Sequence, residues 1–246
     1  MLLRSVGRAR SQMTPRISLL EEGLLVCSEG ESPFGELILV RHGQQRTNGF
    51  NDPLRSRSGN MELSEMGTTQ AEAAAEELSG EAVTAVYSSD LARARSTATC
   101  IAARHQMEVR VDPRLREVGV YRDVPAGASV REAIGEDGAA EVKRRFLAER
   151  SWDAFPLTEP RAEREGRVAA AVDAILAAHP HHEKVVVVCH GGVINLIVRR
   201  ILGVPEDMVF YPAHASISRL GRSPERLGIV TLNERSHLRS PAAITY

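Results

Sequence analysis

One run of four apolar residues, Leu37 to Val40, constrains this chain more than any other feature. Apolar at every position, it reads as a strand buried on both faces. It stops, with no spacer, on Arg41, His42 and Gly43. A second run, "KVVVVCHGG" from Lys184, is the most strand-like stretch in the chain and also ends on histidine and glycine. Buried strands that end on polar side chains need a sheet whose edge is used for chemistry.

The segments around these runs supply the rest of such a sheet. "LSEMGTTQAEAAAEELSG" (63–80) predicts a helix capped by Ser64, with Ala71, Ala74, Ala75 and Leu78 on one face and Gly80 closing it. "AVTAVYSS" predicts a second strand, "DLARARSTATCIAARH" a helix, and "MEVRVD" a third short strand. Val168, Val172, Ile175 and Leu176 mark another helix, and one more runs from about Val193 to Leu202. "SISRLG" and "RLGIVTLN" read as an antiparallel pair. Strands alternating with helices predict a three-layer α/β/α sandwich with a mostly parallel sheet and an antiparallel edge. Ligands of such sheets bind beyond the carboxyl ends of the strands. "RHG", "SSD" and "HGG" would therefore converge there, although they lie far apart in sequence.

The 246 residues contain no dividing linker, so one domain is expected over 36–246, preceded by a partly disordered extension over 1–35. The first twenty residues are basic and free of acids, a composition shared with organelle transit peptides, but a disordered tail or a misplaced start codon is the favoured reading. Residues 118–160 are rich in glycine, proline and charge around one predicted helix, 138–149, and read as an inserted cap over the site. A formal net charge of −1 gives no footprint for nucleic acid or an anionic membrane. No stretch approaches the roughly 18 apolar residues of a membrane span. The cysteines, Cys27, Cys100 and Cys189, are odd in number and widely spaced, so neither a disulfide framework nor a zinc site is expected and a cytoplasmic location fits. Cys189 lies in an apolar run and reads as a small buried hydrophobe.

Beside His42, the predicted topology gathers Arg41, Arg93, His190 and the backbone amide of Gly191. Two guanidiniums present charged forks that suit phosphate oxygens. With two histidines and no carboxylate cluster, they make a poor metal site and a good site for a phosphoryl group. Flanking cations push His42 toward the neutral, nucleophilic imidazole, and a backbone carbonyl on its other nitrogen would select the tautomer. Attack on phosphorus would give a phosphohistidine, dividing one displacement into two. Glu117, just past the third strand, would give the leaving oxygen its proton and later activate water. By contrast, "HPHH" at 179–182 and the cations Arg95, Lys143, Arg144 and Arg145 read as solvated.

These motifs resemble the histidine phosphatase superfamily, which includes cofactor-dependent phosphoglycerate mutases and many broad-specificity phosphatases. The family's R-H-G-E/Q-T-x-x-N is matched by Arg41 to Asn48, its "LTExGxxQA" by "LSEMGTTQA", its "SSxLxRAxxTA" by "SSDLARARSTA", its "RLxE" by "RLRE" ending at Glu117, and its "SHGGVI" by "CHGGVI". The likeness runs from about 36 to 232. It implies catalytic roles for His42, Glu117 and His190, phosphate contacts from Arg41, Arg93, Asn48 and Gly191, and no metal or organic cofactor. Gln45 replaces the usual threonine and is a candidate specificity residue. His214 replaces a common asparagine, and "TEPRAEREGRV" resembles "GESxxExxxRV" with Glu159 and Arg167 aligned. The mutases' "ERHYG" is absent.

The expected function is metal-independent hydrolysis of a phosphomonoester through phospho-His42, with a small phosphorylated metabolite as partner and a homodimer suggested by family habit alone. The alternatives are a 2,3-bisphosphoglycerate-dependent phosphoglycerate mutase and a catalytically weak phosphate-binding interaction module.

Overall fold

Leu37, Ile38, Leu39 and Val40 are each 0 % exposed, at the centre of the sheet. In this computed structural model, residues 35–46, 60–125, 128–135, 137–223 and 226–246 are described, together with the backbone of two short strands upstream. The chain divides into two units, Met1–Pro33 and Phe34–Tyr246. In the first, β1 (Ser18–Leu19) and β2 (Leu25–Val26) pair antiparallel. Of the rest of the expected 1–35 extension, Gly35 already belongs to the main sheet and the other residues lie outside the described ones. Everything below concerns the second unit.

Six strands form one sheet in the order β5-β4-β6-β3-β7-β8. They are β3 (Gly35–Arg41), β4 (Val83–Ser88), β5 (Val109–Val111), β6 (Lys184–Cys189), β7 (Ile217–Arg222) and β8 (Leu227–Glu234). The first four run parallel to one another, and β7 lies antiparallel between β3 and β8. Side chains alternate across a strand, and here the alternation separates two cores. Leu37, Leu39, Val185, Val187 and Cys189 face α5 (Arg161–Ala178) and α6 (Gly191–Leu202). Ile38, Val40, Val186 and Val188 face α1 (Glu65–Leu78) and α2 (Ala92–Arg104). The expected three-layer α/β/α sandwich is therefore the observed fold, and Cys189 is buried as anticipated.

Local chemistry sets the element ends. Ser64 caps α1, its hydroxyl accepting from the Gly67 amide at 3.0 Å. The helix closes on Ser79 in a right-handed conformation (φ −62°), so Gly80 is not the closing residue that the sequence suggested. Helix α6 begins at Gly191, two residues before the predicted start, because the amide of Gly192 has a carboxylate to bind. The 118–160 segment contains α3 (Val130–Ile134), begun by a Ser129/Glu132 capping box that the sequence reading passed over, and α4 (Gly138–Glu149), where a helix was expected. Arg144 and Arg145 pair with Glu141 and Glu149 on the exposed face of α4, a solvated surface as expected.

The histidine cluster departs from expectation at one position. His181 and His182 are exposed, but His179 is buried, bonded to Glu183 at 2.8 Å and to the Tyr87 hydroxyl at 3.1 Å. Its neighbours in space come from β4, β5 and the turn before β6, which the local sequence does not reveal.

Candidate active site

The sheet register brings the polar groups together. Val40 and Ser88 both align with Val188, and Arg41 aligns with Cys189. One step further, the His42 amide donates to the Cys189 carbonyl at 3.0 Å and the Ser89 amide to the Val188 carbonyl at 3.0 Å. Three strand ends thus deliver His42, Ser89 and His190 to one edge. Alternation continues here: His42 points toward α2, whereas Arg41 lies against Gly191 on the α6 side.

His42 is fixed at both ring nitrogens. Nδ1 lies 2.7 Å from the carbonyl of Gly43, which can only accept, so Nδ1 carries the hydrogen and Nε2 keeps its lone pair. Nε2 accepts from Arg93 Nε at 3.1 Å. A second nitrogen of Arg93 lies 3.3 Å from His190 Nδ1, and His190 Nε2 meets the Ser89 hydroxyl at 2.9 Å. The His42 and His190 ring centroids are 4.9 Å apart. Burial holds both rings well below the usual histidine range; for His42 the neighbouring His190, Arg93 and Arg41 add to it, and for His190 the arginines do. Both are neutral at physiological pH.

Arg41 is anchored on the other side. It donates to the Pro212 carbonyl and, at 3.0 Å, to His214 Nε2, while its own Nε is buried with no acceptor among the described residues. Burial pushes its pKa down to about 10, with Glu117 opposing and Arg93 reinforcing the shift. His214 hands its Nδ1 hydrogen to the Thr245 hydroxyl (2.9 Å), which also accepts from Gln70 Nε2 (2.9 Å). Gln70 in turn accepts the Gln44 amide at 2.8 Å. The loop after β3 is therefore clasped from α1 and from the segment around Thr245.

Glu117 completes the group. Its carboxylate accepts from the amide of Val118 at 2.9 Å and from that of Gly192 at 3.2 Å. A side chain at Gly192 would put its Cβ 2.4 Å from Glu117 Oε1 and 2.9 Å from a Val118 methyl carbon, so any larger residue would have to displace the carboxylate from this position. Gly191 stands at the first position of α6, whose amides lack intrahelical partners. Arg41, His42, Arg93, Glu117, His190 and Gly191 are thus assembled in one place. Gln45 forms an isolated backbone bridge with Leu63, and Asn48 lies outside the described residues.

Several participants escaped the sequence reading. Thr97 accepts the Gly43 amide at 3.1 Å and returns its hydroxyl to the Arg93 carbonyl at 2.8 Å, linking the loop after His42 to the helix that carries Arg93. Ser89, Gly192, Gln70 and Thr245 are similar cases. Ser89, Thr97, Gln70 and Gly192 all lie inside the motifs matched above, and Thr97 shares a helix face with Arg93 four residues before it, but none was given a role; Thr245 carried no signal. Chemically, the site combines a neutral imidazole lone pair, two guanidiniums and a carboxyl group, which suits phosphoryl transfer. Among the described residues, no group of three or more His, Cys, Asp or Glu could hold a metal ion, and no helix is long and apolar enough to cross a membrane.

Comparison with known proteins points the same way. The family model of the histidine phosphatase superfamily, branch 1, matches residues 37–235. A Proteus mirabilis protein described as a probable phosphoglycerate mutase is 32 % identical over 175 residues, covering 69 % of this chain and 76 % of its own length. The solved structure of a mycobacterial glucosyl-3-phosphoglycerate phosphatase superposes with a TM-score of 0.66 at 29 % identity, covering 82 % of this chain and 99 % of that one. An α-ribazole phosphatase from Shigella flexneri gives 0.65 at 26 % identity, covering 81 % and 96 %.

Proposed function

The chain belongs to branch 1 of the histidine phosphatase superfamily, and from that premise we propose that it hydrolyses a small phosphorylated metabolite through a phosphohistidine on His42. The observation that carries this reading is the state of His42: buried, neutral, its Nδ1 hydrogen fixed on Gly43, and its Nε2 lone pair 3.1 Å from Arg93.

In the first step, the Nε2 lone pair attacks phosphorus while the ester P–O bond breaks. The leaving oxygen takes a proton from the Glu117 carboxyl. Arg93 releases Nε2 and binds non-bridging oxygens together with Arg41, whose buried Nε then has an acceptor. The Gly191 amide faces the same group, and His190 supports its charge. In the second step, Glu117 takes a proton from water, the water oxygen attacks phosphorus, and the P–N bond breaks to release phosphate and restore His42. None of these steps calls on a metal or an organic cofactor. The insertion at 118–160 would contact the organic part of the substrate and, with Gln45, set specificity. Free thiols at Cys100 and Cys189 fit a cytoplasmic location.

Likeness to two phosphatases of small metabolites supports water as the acceptor, as does the missing "ERHYG". The identity with a probable mutase makes transfer back to a metabolite hydroxyl the competing outcome. The test is phosphate release from a panel of phosphomonoesters in the presence of chelator, for the unaltered protein and His42→Ala. Turnover that survives chelator, disappears in the variant and leaves an acid-labile, alkali-stable protein phosphate supports the reading. Activity only with 2,3-bisphosphoglycerate supports the mutase, and activity retained in His42→Ala rejects both.

A further inference from the structure

Glu117 does not sit on a strand or a helix. It follows a 3-10 turn (Pro113–Leu115) in a stretch, 116–119, with no sheet partner. A proton donor needs a fixed position, so what holds this stretch matters. The answer lies on α5. Arg167 Nη1 donates to the carbonyls of Arg114 (2.7 Å) and Arg116 (2.5 Å), and Nη2 donates to the carbonyl of Glu117 itself (3.2 Å). The two remaining donors, from Nε and Nη2, meet the Glu159 carboxylate at 2.5 and 2.8 Å. All five N–H groups of one guanidinium are thereby used, three of them on the loop carrying the acid.

Glu159 extends the grip to the far side of Glu117. Its Oε2 accepts the Gly119 amide at 3.1 Å, and its own amide donates to the Gly119 carbonyl at 3.0 Å. The pair is secluded, with 18 % of the Arg167 side chain and 4 % of that of Glu159 exposed. The loop is thus gripped on both sides of Glu117, whose carboxylate projects from it toward Gly192. Glu159 also lies at the exit of the 118–160 insertion, so the cap and the acid share this clamp.

We propose that Arg167, held by Glu159, is a positioning residue for proton transfer by Glu117. This rests on the reading of Glu117 as general acid. Loss of the clamp would leave the imidazole attack intact and weaken protonation of the leaving group, a defect whose size depends on the substrate. An alkyl phosphate such as glycerol 3-phosphate needs that proton, whereas p-nitrophenyl phosphate expels a stable anion without it.

The experiment measures kcat and KM on both esters for the unaltered protein, Arg167→Met, Arg167→Lys, Glu159→Gln and Glu117→Gln. The expected result is a fall in kcat/KM, which reports the steps up to P–O cleavage and leaves out the phosphoenzyme hydrolysis common to both esters, of about tenfold or more on the alkyl ester for Arg167→Met and Glu159→Gln, with a change under about threefold on the aryl ester. The double variant with Glu117→Gln should lose no more than Glu117→Gln alone, because both act on one proton transfer. Equal losses on both esters in step with a lowered Tm would reduce the clamp to a structural support and overturn the proposal. If Arg167→Met does not fold, Arg167→Lys and Glu159→Gln decide between the same outcomes. Failure of Glu117→Gln to discriminate between the esters removes the general-acid reading and this inference with it. Discrimination by Glu117→Gln but not by the clamp variants removes the inference alone.

Discussion

Arg93 holds the Nε2 lone pair of His42 at 3.1 Å, so the proposed nucleophile is occupied at rest by the group that would bind its target. The same side chain reaches His190 Nδ1 at 3.3 Å. A lysine at this position keeps the charge but cannot span two imidazoles with a planar fork. Arg93→Lys should lower kcat/KM roughly a hundredfold or more, the scale of losing one preorganised donor. Inhibition by orthovanadate, which presents similar oxygens, should weaken in the same variant.

The pH profile of kcat/KM should lack an inflection from His42 near the ordinary histidine value. His42 is held well below that value by burial and its charged neighbours, so acidification through pH 6 leaves it neutral. Steady-state rates on the free enzyme between pH 5 and 8 report this directly. An acid limb near pH 6.5 that remains after the substrate's own second phosphate ionisation, at about pH 6, is allowed for and that survives replacement of the other histidines would contradict it.

Stability should behave differently from rate. His214 is pushed down to about 3, first by burial and then by Arg41, whereas an unfolded histidine titrates near 6.5. Between those values the unfolded chain binds the extra proton, so the free energy of unfolding falls as pH falls through the window. One such group contributes up to about 1.4 kcal/mol per pH unit, and His42 and His190 act with the same sign. His214→Gln, which can still accept from Arg41 and donate to Thr245, should flatten the acid limb of urea-measured stability between pH 6 and 4.

Gly67→Ala should be far more damaging than an ordinary helix substitution. Its Cβ would lie 1.9 Å from the backbone carbonyl oxygen of Gln44, two residues past His42, and backbone cannot swing aside like a side-chain tip. A loss of at least about 2 kcal/mol is expected, at the upper range of overpacking, with reduced activity in whatever folds. Thermal unfolding and kcat together test this, and an alanine variant with unchanged Tm would show that α1 can retreat.

Arg164 and Asp207 form an ion pair at 3.1 Å between side chains that are both 0 % exposed. Arg164→Met leaves the aspartate buried, with Ser151, the Trp152 amide, Arg161 and, at 3.8 Å, Arg199 still beside it. Breaking one side of such a pair costs about 3–5 kcal/mol. Replacing both members, as Arg164→Met with Asp207→Leu, should cost less than the sum of the single changes, measured as a double-mutant cycle in denaturant.

The parts of this molecule that were legible from sequence are those whose cause is local. Continuous apolar strands, the periodic face of α1 and the Ser64 cap follow from spacing along the chain, and Arg41, His42, Arg93, Glu117 and His190 sit at strand ends or in motifs that mark them. Partnerships across the fold were not legible. Thr97, Ser89 and Thr245 look like any hydroxyl residue until packing sets them beside Gly43, His190 and His214. His179 sits in a polar turn whose sequence predicts solvent, yet Tyr87 and Glu183 close around it. Arg167 and Glu159 were visible only as a faint likeness, because the carbonyls they grip carry no sequence signal.

Strand β6 lies between β3 and β4, although both precede it by many residues. During synthesis, the ribosome delivers Arg41, His42 and Arg93 long before the strand that must enter between their supports. Until β6 slots in, there is no Cys189 carbonyl to fix His42, no His190 and no Gly192 to seat Glu117. A nascent chain, or one cut before β6, therefore has no partial catalytic centre with residual turnover. Enzymatic competence has to await this late central strand, so its first appearance in a refolding or translation time course sets the latest moment at which β6 can have entered the sheet.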